Sequence, residues 1–308
     1  MLFIRQDVVL EGDVKAAGMF DLAFYGNSEL DDRSRYSVGL SRSVARASHF
    51  VSYDPTTFTL KIDGKDFKAD SLEDLPRTFR ANSILIDATT MEFPEIVLVL
   101  HAYYNGLASG RRPKCSFIYV EPERYTRKDP EEASVQGSAF NLSSEFRAKN
   151  ALPPYACMLS GENKAHLVAF LGFEGGRLAR VLNDDDGHFF TQVTVVFGVP
   201  PFQATWDLHA LMANHRILEL NNANVRYCAA NNPRAAYMLL KEAHQALPGG
   251  QSNRLAVAPF GTKPMALGAA LYCVQASPLR VVYDHPVRMK GRTSGVHRRI
   301  FVEVDMNN

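Results

Sequence analysis

Apolar, β-branched runs alternate along the chain with segments whose apolar positions recur every three or four residues, and a short turn of Gly, Pro, Asn or an acid joins each pair. Five such units stand out. Residues 83–87 lead into a helix-period segment at 95–107, residues 166–171 into 177–182, and residues 193–199 into 206–218 through Pro200-Pro201. Residues 224–228 lead into 234–247, and 254–258 into 265–275. Further strand-like runs occupy 21–25, 115–120 and 279–283. Parallel strands need a crossover, and a crossover helix buries its apolar stripe on the sheet. The alternation therefore predicts an α/β fold, a mainly parallel Rossmann-like sheet of at least six strands with helices on both faces. The near-continuous apolar stretches 84–86, 193–197, 225–228, 255–258 and 281–283 are expected to be buried in it.

Residues 57–67 follow a different period. Phe58, Leu60 and Ile62 alternate with polar residues up to Asp63-Gly64, which predicts an N-terminal β-hairpin. No period holds over 126–150, where charged and small residues predict a surface connection. The expected organisation is an N-terminal α/β lobe with the hairpin at 1–125, a connection at 126–154, and a C-terminal Rossmann-like lobe at 155–308. A single sheet shared by both lobes is the alternative.

Composition narrows the class. A chain of 308 residues, 46% apolar and 22% charged, is long enough and apolar enough to bury a large core, which excludes disorder and a minimal disulfide scaffold. The balance of 34 basic against 33 acidic residues excludes a global field toward nucleic acid or anionic lipid, while a local basic patch stays open. Cys115, Cys157, Cys228 and Cys273 lie in or near apolar runs with no Cys-x-x-Cys pair, and read as reduced core thiols of a cytoplasmic protein. The apolar run 96–100 is far short of the roughly 20 residues of a membrane span, and the N-terminus lacks a signal-peptide core. The nine histidines show no zinc-ligand spacing, so no metal is expected.

In an open α/β sheet, ligands bind outside the carboxyl ends of the strands, so the turns there carry the candidate chemistry. In Gly261-Thr262-Lys263-Pro264, the glycine lets an anion approach the backbone, Thr262 can cap the next helix, Lys263 brings a mobile charge and Pro264 suits a first helical turn. This composes a phosphate cradle, with a capped helix and an exposed lysine as the plainer reading. Neither it nor Gly172-Phe173-Glu174-Gly175-Gly176 matches a P-loop or a dinucleotide fingerprint. Asn231 and Asn232 end another strand. Asn27, Ser28, Asp31 and Asp32, with Glu29 and Arg33, suit ribose hydroxyls, a metal or an ion pair, or equally an acidic helix start. Asp87, Glu121 and Glu174 each end a strand and form a candidate catalytic set for general-base or glycosidic-bond chemistry if their strands are neighbours. Asp54, Asp63 and Lys65 approximate a nuclease site with poor spacing. Arg292 and His297 have Arg-x4-His spelling but read as a basic loop before a final strand, and 184–188 reads as a solvated helix exit.

The stretch 255–271, a strand followed by Gly261-Thr262-Lys263-x-Met265 and a small-residue helix, resembles CARF domains, the Rossmann-like sensors of cyclic oligonucleotides in prokaryotic antiviral systems. The resemblance is confined to this short motif, which lies nearer the C-terminus than in that family. It implies Gly261, Thr262 and Lys263 as contacts to ligand phosphates, a nucleotide or cyclic oligonucleotide as ligand, a homodimer, and an effector protein as partner. A dimer also fits the helix expected at 234–245, whose apolar residues exceed one narrow stripe. Two functions are therefore expected: a nucleotide sensor of a defence system, or alternatively an enzyme hydrolysing a nucleotide or its glycosidic bond.

Overall fold

The computed structural model describes residues 3–9, 12, 14, 18–106, 112–129, 139–140, 142–147, 152–161, 164–183, 187–221, 223–247, 254–276 and 280–307. The chain divides into two compact units, Met1–Thr126 with Arg288–Asn308, and Arg127–Val287.

The first unit holds strands β1 (Phe3–Val9), β2 (Phe20–Tyr25), β3 (Ala45–Asp54), β4 (Thr59–Ile62), β5 (Lys65–Lys68), β6 (Ser83–Asp87), β7 (Lys114–Val120) and β8 (Arg124–Tyr125). Its helices are α1 (Asp32–Ser43), α2 (Leu75–Thr78) and α3 (Phe93–Asn105). The second unit holds β9 (Ser143–Phe146), β10 (Ala165–Leu171), β11 (Phe190–Gly198), β12 (Asn224–Cys228), β13 (Leu255–Pro259), β14 (Arg280–Val281) and β15 (Pro286–Arg288), which ends at the boundary. Its helices are α4 (Gly176–Leu182), α5 (Trp206–Asn221), α6 (Pro233–Gln245) and α7 (Lys263–Ala276). The chain then returns to the first unit through β16 (Thr293–Ser294) and β17 (Arg299–Asp305).

Two large sheets therefore replace the single sheet weighed as an alternative. The first has eight strands in the order β1-β17-β7-β6-β2-β3-β4-β5. Its centre, β7-β6-β2-β3, is parallel. Antiparallel strands extend both edges, so the sheet as a whole is mixed rather than mainly parallel. The second sheet is parallel throughout, in the order β12-β11-β10-β13-β14. It has five strands, not six. Short ribbons pair β9 with β15 and β8 with β16.

The expected hairpin forms as β4 and β5. Asp63 (φ 48°) and Gly64 (φ 80°) both adopt the left-handed region that a two-residue hairpin turn of right-handed twist requires. The last strand departs from the expected C-terminal lobe. Its alternating Ile300, Val302 and Val304 insert between β1 and β7, so residues 288–308 complete the first sheet.

Burial follows the apolar pattern at the sheet centres. Ile84, Leu85 and Ile86 of β6 are fully buried, as are Val195 and Val196 of β11 and Leu255 to Ala258 of β13. Strand β12 overturns its expectation: Val225 is 38% and Tyr227 62% exposed, and Asn224 and Arg226 are exposed as well, because β12 lies at the edge of its sheet rather than between two strands. Cys115, Cys228 and Cys273 are buried thiols as expected, but Cys157 is exposed. Among the described residues no helix is long and apolar enough to cross a membrane.

Helices α6 and α7 pack against each other. A Cβ at Gly268 would fall on the Pro233 carbonyl oxygen, so glycine is what lets the two backbones approach. Ala236, Tyr237, Leu239 and Leu240 of α6 are buried within the chain. The broad apolar face that suggested a dimer surface is thus accounted for by an internal partner.

Candidate functional site

Each parallel sheet has one place where its strand order reverses, and there the loops of two neighbouring strands diverge to leave a crevice. In the second unit, β10, β11 and β12 step outward one way while β13 and β14 lie on the other side of β10. The reversal is between β10 and β13.

Gly172 follows β10 and Gly261 follows β13. A Cβ on Gly172 would sit 3.1 Å from the Phe260 carbonyl oxygen, so the two turns lie side by side. A Cβ on Gly261 would press on Phe170 and the Met265 side chain, at 3.1 and 3.2 Å. Thr262 donates its hydroxyl to the Ala230 carbonyl and accepts from the Met265 N–H at 3.4 Å. It therefore ties the turn after β13 to the turn after β12 and caps α7. Lys263 is half-buried at the first turn of α7. Asn231 is half-buried in the adjoining turn, and Asn232 is the N-cap of α6, accepting from the Ala235 N–H at 3.0 Å. Asn232 acts here as a cap.

Arg177, on α4, reaches into the same edge. Its Nε lies 3.1 and 3.0 Å from the two Asp284 oxygens, and both residues are buried. The guanidinium stacks 4.3 Å from the Phe260 ring centre and 5.4 Å from that of Tyr283. Glu174 stands 3.7 Å from Arg177 Nη1, so this candidate acid belongs to an ion-pair cluster. The pair was invisible in sequence, because 107 positions separate its members. Residues 184–186 lie outside the described residues.

In the first unit the order reverses between β2 and β6, and the segment at 288–295 runs beside the loops that follow both. The Gly291 N–H donates to the Leu30 carbonyl at 2.7 Å, and Arg288 Nε donates to Glu92 Oε1 at 3.1 Å. Asp31 is the buried N-cap of α1. Its Oδ1 accepts from the Ser34 N–H (2.9 Å) and hydroxyl (2.6 Å), while Oδ2 accepts from the Thr293 hydroxyl (2.6 Å) and Arg33 Nε (3.3 Å). The neighbouring candidates are peripheral. Asp32 is exposed and pairs with Arg35 at 2.6 Å. Asn27 Oδ1 accepts from the Glu29 N–H, and the Ser28 hydroxyl lies 3.5 Å from Glu29 Oε1.

Burial by itself would raise the Asp31 carboxyl, but Arg33, the Ser34 and Thr293 hydroxyls and Arg292 outweigh it and hold it at about 2, below the ordinary 3.8. A carboxyl with a depressed folded value contributes stability above its unfolded value and loses it as pH falls through the folded one, so the window is roughly pH 4 to 2. The contribution is about 2 kcal/mol at neutral pH. Urea denaturation of wild type and Asp31→Asn should differ by that amount at pH 7 and converge toward pH 2.5. A gap independent of pH would disprove the assignment.

Asp87 and Glu121 end the adjacent strands β6 and β7. Asp87 is fully buried and accepts from Ser37 (2.7 Å), the Thr89 N–H (2.9 Å) and Thr90 (2.9 Å). Burial nevertheless keeps its carboxyl above the ordinary value. The Thr90 hydroxyl in turn accepts from the Gly26 N–H, joining the turns after β6 and β2. Glu121 is buried against Arg298, which donates at 2.8 and 3.2 Å, with His297 Nδ1 at 3.6 Å. Both carboxylates are thus committed to loop anchoring, and Glu174 belongs to the other unit. Asp54 and Asp63 are likewise engaged, with Thr57 and His49. Arg292 and His297 stand in and around β16 rather than on a helix. Among the described residues no group of three His, Cys, Asp or Glu is placed to hold a metal. No family model matches the sequence, and no curated protein is similar enough to count as a relative.

Proposed function

We propose that the second unit is a Rossmann-like, CARF-like module that binds a nucleotide or cyclic oligonucleotide through a phosphate at the Gly261 turn, as a sensor in prokaryotic antiviral defence. The observation that carries this reading is the position of the turn at the reversal between β10 and β13, beside the second glycine turn at Gly172. The start of α7 adds the positive end of a helix dipole there. Thr262 is engaged with Ala230 and Met265, so the ligand-facing roles fall to the Gly261 backbone and Lys263. A homodimer and an effector partner belong to the same reading.

Lys263→Ala removes a charge-assisted contact worth about 1.5–3 kcal/mol. Affinity for cyclic oligoadenylates or a mononucleotide, whichever binds wild type in a calorimetric titration, should fall about ten- to a hundredfold. The melting temperature should stay within about 2 °C. Unchanged affinity would reduce the turn to a helix cap, and a large drop in melting temperature would make Lys263 structural.

A further inference from the structure

The first unit carries an arginine cluster that the preceding reading does not use. Arg33 and Arg292 face Asp31, and Arg288 pairs with Glu92. Arg33 is satisfied: besides Asp31 it donates to the Tyr119 hydroxyl at 3.3 Å and the Val120 carbonyl at 3.4 Å. Arg288 donates to both Glu92 oxygens, at 3.1 and 3.4 Å.

Arg292 is different. It is only 5% exposed, and its buried Nε has no hydrogen-bond partner among the described residues. It faces Asp31 Oδ2 at 3.6 Å, beyond hydrogen-bond reach, and that oxygen already accepts from Thr293 and Arg33. A buried guanidinium left facing a saturated carboxylate is costly in a folded protein unless another acceptor completes it. Burial, reinforced by Arg288 and Arg33, pushes its affinity for the proton below the ordinary arginine level, and Glu92 and Asp31 restore only part of it.

The location suits a ligand. Hydrogen bonds from Gly291 to Leu30 and from Arg288 to Glu92 hold the segment beside the loops that follow β2 and β6, the two strands between which the parallel order reverses. Lys290 and Gly291 are exposed on the turn just before Arg292. Gly291 itself is at φ 68°, so glycine shapes that turn.

We propose that Arg292, flanked by Arg288, binds a phosphoryl group at the carboxyl edge of the first sheet, a site separate from the Gly261 turn. A guanidinium offers a planar fork of donors that matches phosphate oxygens. The phosphoryl group can come from free phosphate or from a nucleoside monophosphate.

The test is calorimetric titration of the full chain with inorganic phosphate, adenosine monophosphate and acetate at matched ionic strength, repeated on Arg292→Met and Lys263→Ala. A site for phosphate or the monophosphate should be present alike in wild type and Lys263→Ala and be about tenfold or more weaker in Arg292→Met, and any monophosphate site lost in Lys263→Ala but kept in Arg292→Met is the one at the Gly261 turn; the tighter of the two ligands identifies the source of the phosphoryl group. In chloride buffer Arg292→Met should still fold and melt near wild type, because Asp31 keeps Arg33, Ser34 and Thr293 as hydrogen-bond partners. Should that variant not fold, the Nε–H resonance of Arg292 in wild type, assigned by its absence from Arg292→Lys, must shift on phosphate addition. Equal affinity in Arg292→Met, loss of inorganic phosphate binding in Lys263→Ala, an unmoved Nε–H signal, no binding at millimolar phosphate, or acetate binding as tightly would each overturn the proposal.

Discussion

Asp284→Ala is expected to destabilise the second unit by about 3–5 kcal/mol, the cost of leaving a buried charge without its partner. Asp284 meets the Arg177 Nε with both oxygens, at 3.1 and 3.0 Å, and the guanidinium lies between Phe260 and Tyr283 where water cannot replace the lost carboxylate. Glu174, 3.7 Å from Nη1, still attracts the guanidinium but does not replace the hydrogen bonds that Nε makes to Asp284. The double variant Arg177→Met with Asp284→Leu should recover most of the loss, because an apolar pair of similar volume avoids the desolvation cost altogether. Chemical denaturation of the two variants beside wild type measures both. A loss below about 1 kcal/mol for the single variant, the range of a solvent-exposed pair, would contradict a sealed ion pair. The consequence reaches the candidate site, since this pair anchors α4 and the segment after β14 around Phe260, one residue before Gly261.

Gly175→Ala should be comparably damaging, with a loss of about 3 kcal/mol or more, whereas Gly176→Ala one position later should stabilise by about 0.5–1 kcal/mol. A Cβ on Gly175 would fall on the Ala213 carbonyl oxygen of α5, and a carbonyl fixed in a helix ladder cannot swing aside as a side-chain tip would. Relief requires α4 to move away from α5, which also disturbs Asn214, whose amide donates to the Gly172 carbonyl at 2.9 Å and the Ala210 carbonyl at 2.7 Å. Gly176 has nothing within 4 Å of its would-be Cβ, so alanine there only lowers the entropy of the unfolded chain and favours the helix. Thermal melts of the two variants should move in opposite directions. Movement in the same direction would mean that the α4 and α5 backbones do not meet at Gly175.

These two glycines mark the boundary between what local sequence carries and what packing adds. Periodicity identified the strand and helix of all five repeated units, because a residue's alternation with its neighbours is set by which face it buries, a local property. It also found the hairpin, whose Asp63-Gly64 turn depends only on the backbone freedom of two adjacent residues. Periodicity carries no information on which strand lies beside which. Strands β6 and β7 are each as apolar as β11 or β13, yet they stand in another sheet, and β17 joins that sheet from the far end of the chain.

The candidate residues divide in the same way. Turns at the carboxyl ends of strands were legible, so Asp31, Asp87, Glu121 and the Gly261 turn were all singled out by position. Their partners were not. Asp31 meets Thr293 across 262 positions, Glu121 meets Arg298 across 177, and Glu92 meets Arg288 across 196. The segment from Arg292 to His297 was legible as a basic loop before a final strand, but only the return of the chain to the first sheet sets Arg292 beside Asp31 and leaves its Nε without a hydrogen bond. The sequence by itself determined the alternation of elements, the hairpin turn and the strand-end polar residues, because those follow from a residue and its near neighbours. The tertiary structure alone decided the strand order, the split into two sheets, which carboxylates are anchors and which glycine is indispensable, because each depends on the closeness of atoms that the chain keeps far apart.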